Sequence, residues 1–201
     1  SNLITHFNDG YRGAPVIGGL ASAGMLHQSN WLVLDDSVYP EGMVGIAMTG
    51  AVEFEVVVSQ GCRPIGKPFV ITKADGHVLL ELGGEPALLA CHQVLESLSL
   101  RDRKLSEHSL FVGLAMNERQ AEFKRGDFLV RNLVGVDPES QALMIGALLK
   151  VGQTLQFQLR DAKTSAEDLE ALLGRWTEKA GARGALVVSF SGRGRGLYGS
   201  P

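Results

Sequence analysis

Short apolar runs separated by turn residues dominate the first third of the chain. Residues 16–20, 31–34, 44–49 and 51–58 are rich in apolar side chains, and Gly, Asp-Asp and Pro signals separate them. Apolar runs of about four to eight residues bounded in this way are typical of strands. The pattern therefore predicts a meander of strands.

A second series of strands is predicted in the rest of the chain. Residues 69–72 and 77–82 flank the Asp75-Gly76 step, which favours a tight hairpin turn. Further apolar runs lie at residues 110–115, 128–134, 143–149 and 154–159. The turn sequence Asp-Pro-Glu-Ser at 137–140 joins two of these runs, so we expect the strands to be largely antiparallel.

Two amphipathic helices are indicated by apolar residues at spacings of three and four. Pro86 suits the first turn of one helix, and Ser165 begins the other in a variant of the capping box. Gly181 is placed to end the second helix. Cys91 is expected to face a core. The apolar stripes consist of Leu88, Cys91, Leu95 and Leu98 in the first helix and of Leu169, Leu172, Leu173, Trp176 and Ala180 in the second.

Runs of strands with two added helices favour an α+β fold, in which mostly antiparallel or mixed β-sheets are layered with amphipathic helices. No regular alternation of strand and helix is sustained. Pro64 and Pro68 mark the change from the first series of strands to the second. We therefore expect a domain boundary near Gly66, with residues 1–65 on one side and 66–201 on the other.

Composition narrows the class of protein. The 201 residues are 45% apolar and 20% charged, with a formal net charge of −3, which is typical of a globular domain. Lys and Arg are scattered among the acids and do not form a basic patch with interleaved aromatic residues. No nucleic-acid partner is therefore predicted.

The cellular location follows from what the sequence lacks. No apolar run approaches the roughly 20 residues needed to span a bilayer, and the amino end has no basic stretch followed by an apolar one. We expect a cytoplasmic protein without membrane insertion. Cys62 and Cys91 lack the spacing of metal ligands, so neither a metal site nor a cofactor is predicted.

Residues 59–66, Ser-Gln-Gly-Cys-Arg-Pro-Ile-Gly, form the most informative stretch of the chain. They place the thiol of Cys62, the guanidinium of Arg63 and the flexible backbone of Gly61 directly after a predicted strand. Ligands often bind at such sheet ends. Gln60 adds an amide group, and we predict a ligand-binding site that includes these four residues.

Gly18, Gly19 and Ser22 form a second candidate group. Paired glycines after a strand allow close approach of a backbone, and the hydroxyl of Ser22 lies nearby in sequence. A bulge or a tight bend accounts for the glycines equally well.

Arg131 and Asn132 form a third candidate group. Strand alternation places Arg131 on one face with Leu129 and Leu133, and Asn132 on the other face. An Arg in apolar surroundings needs a partner. That partner is either a ligand carboxylate or an internal acid, and Asn132 offers a donor and an acceptor. The candidate internal acids are Glu118, Asp127 and Asp137.

The glycine-rich tail satisfies the pattern G-x-G-x-x-G at residues 194–199. A dinucleotide-binding fold would require this pattern to open a helix and to be followed by an acid about 20 residues on. The tail is therefore interpreted as a loop. Arg193 beside it has forked donors that suit an anion, and an internal ion pair is the alternative.

Four segments carry a resemblance to a known family. Residues 59–66 resemble a signature of the FIST family, which comprises bacterial sensory modules whose relatives include a eukaryotic F-box protein. The resemblance continues through residues 16–22, 126–133 and 191–194, in the expected order. It covers nearly the whole chain.

The resemblance implies domain identities and a function. Residues 1–65 correspond to the carboxy-terminal part of the FIST N-type domain, and residues 66–201 correspond to a FIST C-type domain that is incomplete at its end. FIST modules are linked to signalling outputs and have been proposed to bind small ligands such as amino acids. The resemblance thus implies a small-molecule ligand, with an amino acid or other carboxylate suspected, and a separate signalling output protein or domain.

Two other functions remain open from the residues alone. Cys62 could serve a hydrolase or transferase if its thiol pKa were lowered and a histidine lay within hydrogen-bond reach, but no histidine is paired with it by spacing and no catalytic residue is assigned. A protein-interaction platform like that of the F-box relative would instead present an exposed apolar patch.

Overall fold

The computed structural model describes residues 2–21, 30–120, 122–177, 183–189 and 194–198. Two compact units are present: residues 1–55 with 181–201 form the first, and residues 56–180 form the second. The predicted helix end at Gly181 and the predicted site residues Ser22 and Arg193 lie outside the described residues.

The described elements are helices and short strands. The helices are α1 (Asn2–Gly10), α2 (Ala87–Glu96), α3 (Leu100–Ser109), α4 (Ala162–Thr177) and α5 (Arg195–Tyr198). The strands are β1 (Leu32–Leu34), β2 (Ser37–Tyr39), β3 (Cys62–Pro64), β4 (Phe69–Asp75), β5 (Val78–Leu82), β6 (Glu85–Pro86), β7 (Leu110–Ala115), β8 (Phe128–Asp137), β9 (Ala142–Ile145) and β10 (Thr154–Arg160). The expected α+β class is confirmed.

The second unit is built on a six-stranded antiparallel barrel. Its strands follow the order β10-β4-β5-β9-β8-β7, and β7 pairs back with β10 to close the ring. On its other edge, β10 pairs with β4 through Thr154 and Leu155 and with β3 through Gln158 to Arg160. β3 and β4 therefore occupy successive stretches of one edge of β10.

The core lies inside this barrel and beneath α2. Leu155, Phe157 and Leu159 alternate along β10 and are fully buried, as expected for one face of a strand. From α2, Leu88 and Cys91 pack on the same core, which confirms that Cys91 faces it. Burying one Leu or Phe side chain contributes roughly 1.5–3 kcal/mol, so this cluster is the main source of stability in the unit.

The predicted hairpin turn is confirmed between β4 and β5. Asp75 pairs with Val78, and Gly76 has a φ of 56°, a left-handed conformation that glycine adopts without steric cost. The turn after Asp137 is also present, and the Asp137 carboxylate accepts a hydrogen bond from Ser140 Oγ. Local turn chemistry therefore sets both connections.

Three helices were not predicted, and one begins earlier than expected. α1 and α3 were missed, and α5 lies in the glycine-rich tail at 194–199, where a loop was expected. α5 is a single turn closed by hydrogen bonds from Leu197 N and Tyr198 N to Gly194 O. α3 buries no side chain and so has no apolar stripe. α4 begins at Ala162 because Asp161 caps it: Asp161 Oδ1 accepts from Thr164 N at 2.8 Å. Ser165 thus lies inside the first turn of α4, where it is fully buried.

Several predicted strands are absent from the described structure. Residues 16–20, 44–49 and 51–58 are extended or irregular and pair with no strand among the described residues. Apolar composition favours a strand, but a neighbouring strand must supply its hydrogen bonds. Residues 31–34 do find such a neighbour, because β1 pairs with β2. The octet at 59–66 therefore does not follow a strand; Cys62 begins one.

Candidate functional site

The octet at residues 59–66 is bound to α4. Ser59 Oγ donates to Asp168 Oδ2 at 2.6 Å, and Gly61 N donates to the same oxygen at 3.1 Å. In return, Ser165 Oγ donates to Gly61 O at 3.0 Å. Gly61 has a φ of 65°, which favours glycine at this position. The backbone of the octet is thus held on both sides of Gly61 by the first turns of α4.

Gln60 completes the edge of β8. Its Nε2 donates to Phe128 O at 2.6 Å, and its Oε1 accepts from Val130 N at 2.7 Å. β9 pairs with β8 only from Leu133 onward. The side-chain amide of Gln60 therefore supplies the donor and acceptor that another strand would supply.

Cys62 is a buried residue of β3. Its side chain is 5% exposed, and its Sγ lies 3.5 Å from Gln60 O. It pairs in register with Arg160 of β10. A thiol in this position packs as a small apolar side chain.

Arg63 forms ion pairs with two carboxylates. Its Nη2 lies 2.6 Å from Asp102 Oδ1 on α3, and its Nε lies 3.2 Å from Asp161 Oδ2 at the start of α4. Burial alone would raise the pKa of Asp161. Hydrogen bonds from the Thr164 amide and hydroxyl favour the ionised carboxylate, and so do the hydrogen bond and the positive charge of Arg63. Together they outweigh burial and lower the pKa of Asp161 below its ordinary value of 3.8. Arg63 thus ties β3 to two helices.

Arg131 lies on the core-facing side of β8. It pairs with Val112, which in turn pairs with Phe157, and both of these side chains are fully buried. Directly paired residues share a face of the sheet. The Arg131 side chain is half-buried, and its Nη1 donates to Val130 O at 3.2 Å. Asn132 is exposed and lies on the opposite face.

The internal acids proposed as partners of Arg131 have other contacts. Glu118 accepts a hydrogen bond from Thr154 N, Asp127 accepts one from Lys124 N, and Asp137 accepts one from Ser140 Oγ. Within the part of the chain that the structure describes, Arg131 forms no ion pair. Its charge is therefore not neutralised by any described residue.

The glycine pair belongs to the first compact unit. A Cβ added at Gly19 would lie 3.2 Å from Val188 Cγ1, whereas one added at Gly18 would meet open space. The backbone at Gly19 thus lies close to the side chain of Val188 within this unit. With Ser22 and Arg193 outside the described residues, the structure brings together Gln60, Gly61, Cys62 and Arg63 from the predicted set.

Sequence reasoning missed the partners of the octet. Asp102, Asp161, Ser165 and Asp168 hold it in place, and all four come from helices or caps far along the chain. The Ser-Ala-Glu-Asp pattern at 165–168 predicts a helix cap and does not indicate a contact with the octet. A polar layer on the outward face of β10 was also missed: Gln156 Nε2 donates to Gly66 O at 2.7 Å, and the Arg160 guanidinium lies 4.4 Å from the Phe111 ring.

A metal-binding cluster and a membrane-spanning helix are both absent from the part of the chain that the structure describes. In the described ranges, no group of three or more His, Cys, Asp or Glu side chains could hold a metal ion. Of the helices that the structure describes, none has the length and apolar character needed to cross a membrane.

Comparison with known families identifies both parts of the chain. The FIST N domain model matches residues 1–85, and the FIST C domain model matches residues 87–200. The two matches meet at Pro86, whereas the compact units divide between Glu55 and Val56. The boundary expected near Gly66 lies between these two positions and stays a prediction.

Relatives in mycobacteria match along the same length. Uncharacterized protein Mb0898c of Mycobacterium bovis is 39% identical over 199 residues, covering 98% of this chain and 51% of that protein. Uncharacterized protein MT0656 of Mycobacterium tuberculosis is 38% identical over 203 residues, covering 98% of this chain and 52% of that protein. The chain therefore spans about half the length of these relatives. No solved structure matches it.

Proposed function

The chain belongs to the FIST family across both of its matched regions, and from this premise we propose that it senses an amino acid or another small carboxylate. FIST domains are sensory domains in signal transduction. In this proposal, a separate protein or domain in the cytoplasm provides the signalling output. Neither Cys62 nor Cys91 forms a disulfide within the described residues, which is compatible with that location.

The observation that carries the proposal is the state of Arg131. Its side chain is half-buried on the face of β8 that it shares with the paired residue Val112, and it forms no ion pair within the described residues. Removing an unpaired charge from water is unfavourable. A ligand carboxylate would neutralise it and match its fork of N–H donors.

Arg63 is less suited to this role, although it was predicted as a ligand contact. Asp102 and Asp161 already accept hydrogen bonds from its guanidinium. An incoming carboxylate would have to displace one of these charged partners. We therefore assign the ligand contact to Arg131 and a positioning role to the octet.

The octet is connected to Arg131 through its neighbour on β8. Val130 O accepts from Arg131 Nη1, and Val130 N donates to Gln60 Oε1. A ligand carboxylate that draws the Arg131 guanidinium away from Val130 O would alter the hydrogen bonding of β8 at Val130. Since Ser59 and Gly61 bind Asp168, α4 is the element that we propose to respond to the ligand.

The cysteine-dependent reaction has less support from the geometry. Attack on an external substrate requires an accessible thiolate, and Cys62 is buried in β3. Sensing through Arg131 is the better-supported function.

A thermal-shift and calorimetric screen of amino acids and small carboxylates tests the proposal. Each compound is compared with its uncharged carboxamide, and the chain is compared with Arg131→Gln and with Arg101→Gln, which removes an exposed arginine of α3. A ligand at 100 times its dissociation constant should stabilise the protein by about 2.7 kcal/mol.

We expect a saturable shift with a carboxylate that is lost with the carboxamide and in Arg131→Gln but kept in Arg101→Gln. Equal binding of carboxylate and carboxamide, or unchanged binding by Arg131→Gln, would refute the assignment. The melting temperature of each ligand-free variant shows whether it is folded.

A further inference from the structure

The guanidinium of Arg131 lies at one edge of β8, where β9 has not yet begun. Val130 N donates to Gln60 Oε1, on the side of β8 that faces away from β7. The N–H and C=O groups of one strand residue point to the same side, so Val130 O faces this edge as well. Arg131 Nη1 donates to Val130 O at 3.2 Å, and β9 pairs with β8 only from Leu133 onward.

The oxygen atoms described along this edge already accept hydrogen bonds. Phe128 O accepts from Gln60 Nε2, and Gln60 Oε1 accepts from Val130 N. Val130 O accepts from Arg131 itself. Asn132 O accepts at 2.9 Å from the amide of the first residue after β9. A ligand group that can only donate would therefore have to share an oxygen with an existing donor.

The acids that could attract a positive charge are engaged elsewhere. Glu118, Asp127 and Asp137 each accept a hydrogen bond from another part of the chain. None of the buried polar or charged side chains among the described residues is acidic. The α-ammonium group of an amino acid lies next to its carboxylate, so it would stand beside the Arg131 guanidinium, and like charges repel.

Apolar side chains flank the guanidinium on its face of β8. Leu129 and Leu133 lie two residues to either side of Arg131 and so share its face. Leu133 packs against the core, and Val112, which pairs with Arg131, is fully buried. Leu129 is 40% exposed, so a ligand can reach it from solvent. These neighbours suit a hydrocarbon chain.

We propose that the Arg131 site selects carboxylates whose α-carbon carries no ammonium group and whose short branched hydrocarbon chain contacts Leu129. This inference rests on the proposed function and narrows its ligand class to monocarboxylates. The carboxylate accepts from the fork of guanidinium N–H groups, and the hydrocarbon chain covers the exposed part of Leu129. The corresponding α-amino acid is the poorer ligand, because its ammonium group would lose water without gaining an acidic partner.

The probes for the test are 4-methylpentanoate and leucine, which share a carbon skeleton and differ in the α-ammonium group. A third probe, 2-hydroxy-4-methylpentanoate, replaces the ammonium with a neutral hydroxyl group and so separates the effect of charge from that of size. Calorimetry with the whole chain measures each dissociation constant. This comparison of ligands needs no variant and so does not depend on how any variant folds.

Four variants locate the contacts. Arg131→Gln removes the guanidinium, and Arg101→Gln removes an exposed arginine of α3 as its control. Leu129→Ala shortens the apolar neighbour, and Leu100→Ala is its control, since Leu100 is 80% exposed on α3. The melting temperature of each ligand-free variant shows whether it is folded.

We expect 4-methylpentanoate to bind about tenfold or more tightly than leucine, and the hydroxy acid to resemble 4-methylpentanoate. Binding should be lost in Arg131→Gln and weakened about three- to tenfold in Leu129→Ala, and both control variants should bind as the parent chain does. Leucine that binds as tightly as 4-methylpentanoate, with both lost in Arg131→Gln, would overturn this inference and leave the proposed function standing.

Two further outcomes would also overturn the inference. If neither compound of the pair binds, the site does not take a branched monocarboxylate, and the wider screen of carboxylates then decides the proposed function by itself. If 4-methylpentanoate binds equally well to Arg131→Gln, the carboxylate contact is not at Arg131, and both the inference and the proposed site are wrong.

Discussion

Ser165 Oγ donates a 3.0 Å hydrogen bond to the carbonyl oxygen of Gly61, and both residues are buried. This contact joins the first turn of α4 to the residue that precedes β3. Because the Ser165 side chain is fully buried, the bond is shielded from competition with water. Its removal leaves a buried carbonyl without this donor.

Ser165→Ala should destabilise the protein by about 1–3 kcal/mol, the cost of leaving a buried polar group unsatisfied. Urea denaturation followed by circular dichroism measures the change. Ser106→Ala is the control, since the Ser106 hydroxyl bonds to Arg103 O on the exposed side of α3; its effect should stay within about 0.5 kcal/mol. Equal midpoints for the two variants would show that the Ser165 bond contributes little.

Gln60→Glu should weaken the edge of β8. The carboxylate can still accept from Val130 N, but it cannot donate to Phe128 O and would place a negative charge beside that carbonyl. We expect a loss of about 1–3 kcal/mol and faster hydrogen exchange at the Val130 amide. Gln60→Leu, which removes both bonds, should accelerate that exchange further. Unchanged protection of Val130 in both variants would contradict the role assigned to Gln60.

The elements that were predicted correctly are those with a strong local signal. β7 was predicted with its observed bounds, and α2 was predicted from its apolar stripe and Pro86. The β4–β5 hairpin followed from the Asp75-Gly76 step. In each case the pattern and the turn chemistry favour the same structure, so little depends on distant parts of the chain.

The elements and contacts that were missed depend on partners. Residues 51–58 have a strand-like composition but no neighbouring strand among the described residues. α3 has a local signal, the Ser99 cap that accepts from Asp102 N, but no apolar stripe. The sequence predicts the octet as a candidate site. It does not predict the octet's contact with Asp168, because a hydrogen bond across more than a hundred positions leaves no periodic signal.

Gly66→Ala should be strongly destabilising. Gly66 has a φ of 61°, and an added Cβ would lie 2.9 Å from both γ carbons of Val94. Backbone strain of this kind costs about 1–3 kcal/mol, and overpacking adds about 1–3 kcal/mol. Urea denaturation of Gly66→Ala, Val94→Ala and the double variant separates the two terms.

The double variant should lose less stability than the sum of the two single variants, because Val94→Ala removes the atoms that clash with the new Cβ. Gly10→Ala, at a position where an added Cβ meets nothing within 4 Å and φ is not positive, should be neutral or stabilising. Strict additivity in the double variant would mean that the contact with Val94 relaxes without cost.

Both cysteines should be unreactive in the folded protein. Cys62 and Cys91 are buried, and burial raises the pKa of Cys91 from 9.0 to about 11. Labelling with a thiol reagent at pH 8 should therefore be slow in buffer and complete in concentrated urea. Rapid labelling of one thiol in the folded protein would revive the reactive-cysteine hypothesis, and Cys62→Ser and Cys91→Ser would identify which thiol reacts.

The raised pKa of Cys91 also gives a pH dependence. The folded protein holds this proton more tightly than the unfolded chain, so the stabilising contribution is fully present below pH 9.0 and is lost as pH rises towards about 11. Urea midpoints between pH 8 and 11 should fall less steeply for Cys91→Ala than for the parent chain. Parallel curves would show that the Cys91 pKa is not raised in the folded state.

Asp161→Asn should change the stability profile at the acid end. The pKa of Asp161 is lowered below 3.8, because the hydrogen bonds from Thr164 and Arg63, with the charge of Arg63, outweigh the opposing effect of burial. The carboxylate therefore contributes stability that is fully present above pH 3.8 and is lost as pH falls through the lower, folded pKa. Asn can still cap α4 but cannot pair with Arg63.

At pH 7, Asp161→Asn should cost about 1–3 kcal/mol, the usual range for a hydrogen bond to a charged group, and this difference should shrink as pH falls below 3.8. Urea denaturation at intervals from pH 7 to pH 2.5 measures it. Asp36→Asn, at an exposed position of the β1–β2 turn, should give a difference within about 0.5 kcal/mol throughout. A difference in unfolding free energy that stays constant for Asp161→Asn down to the lowest pH would contradict this account. A neutral Asp161 would then hold Arg63 as well as an ionised one, so the carboxylate charge would not stabilise the junction of β3 and α4.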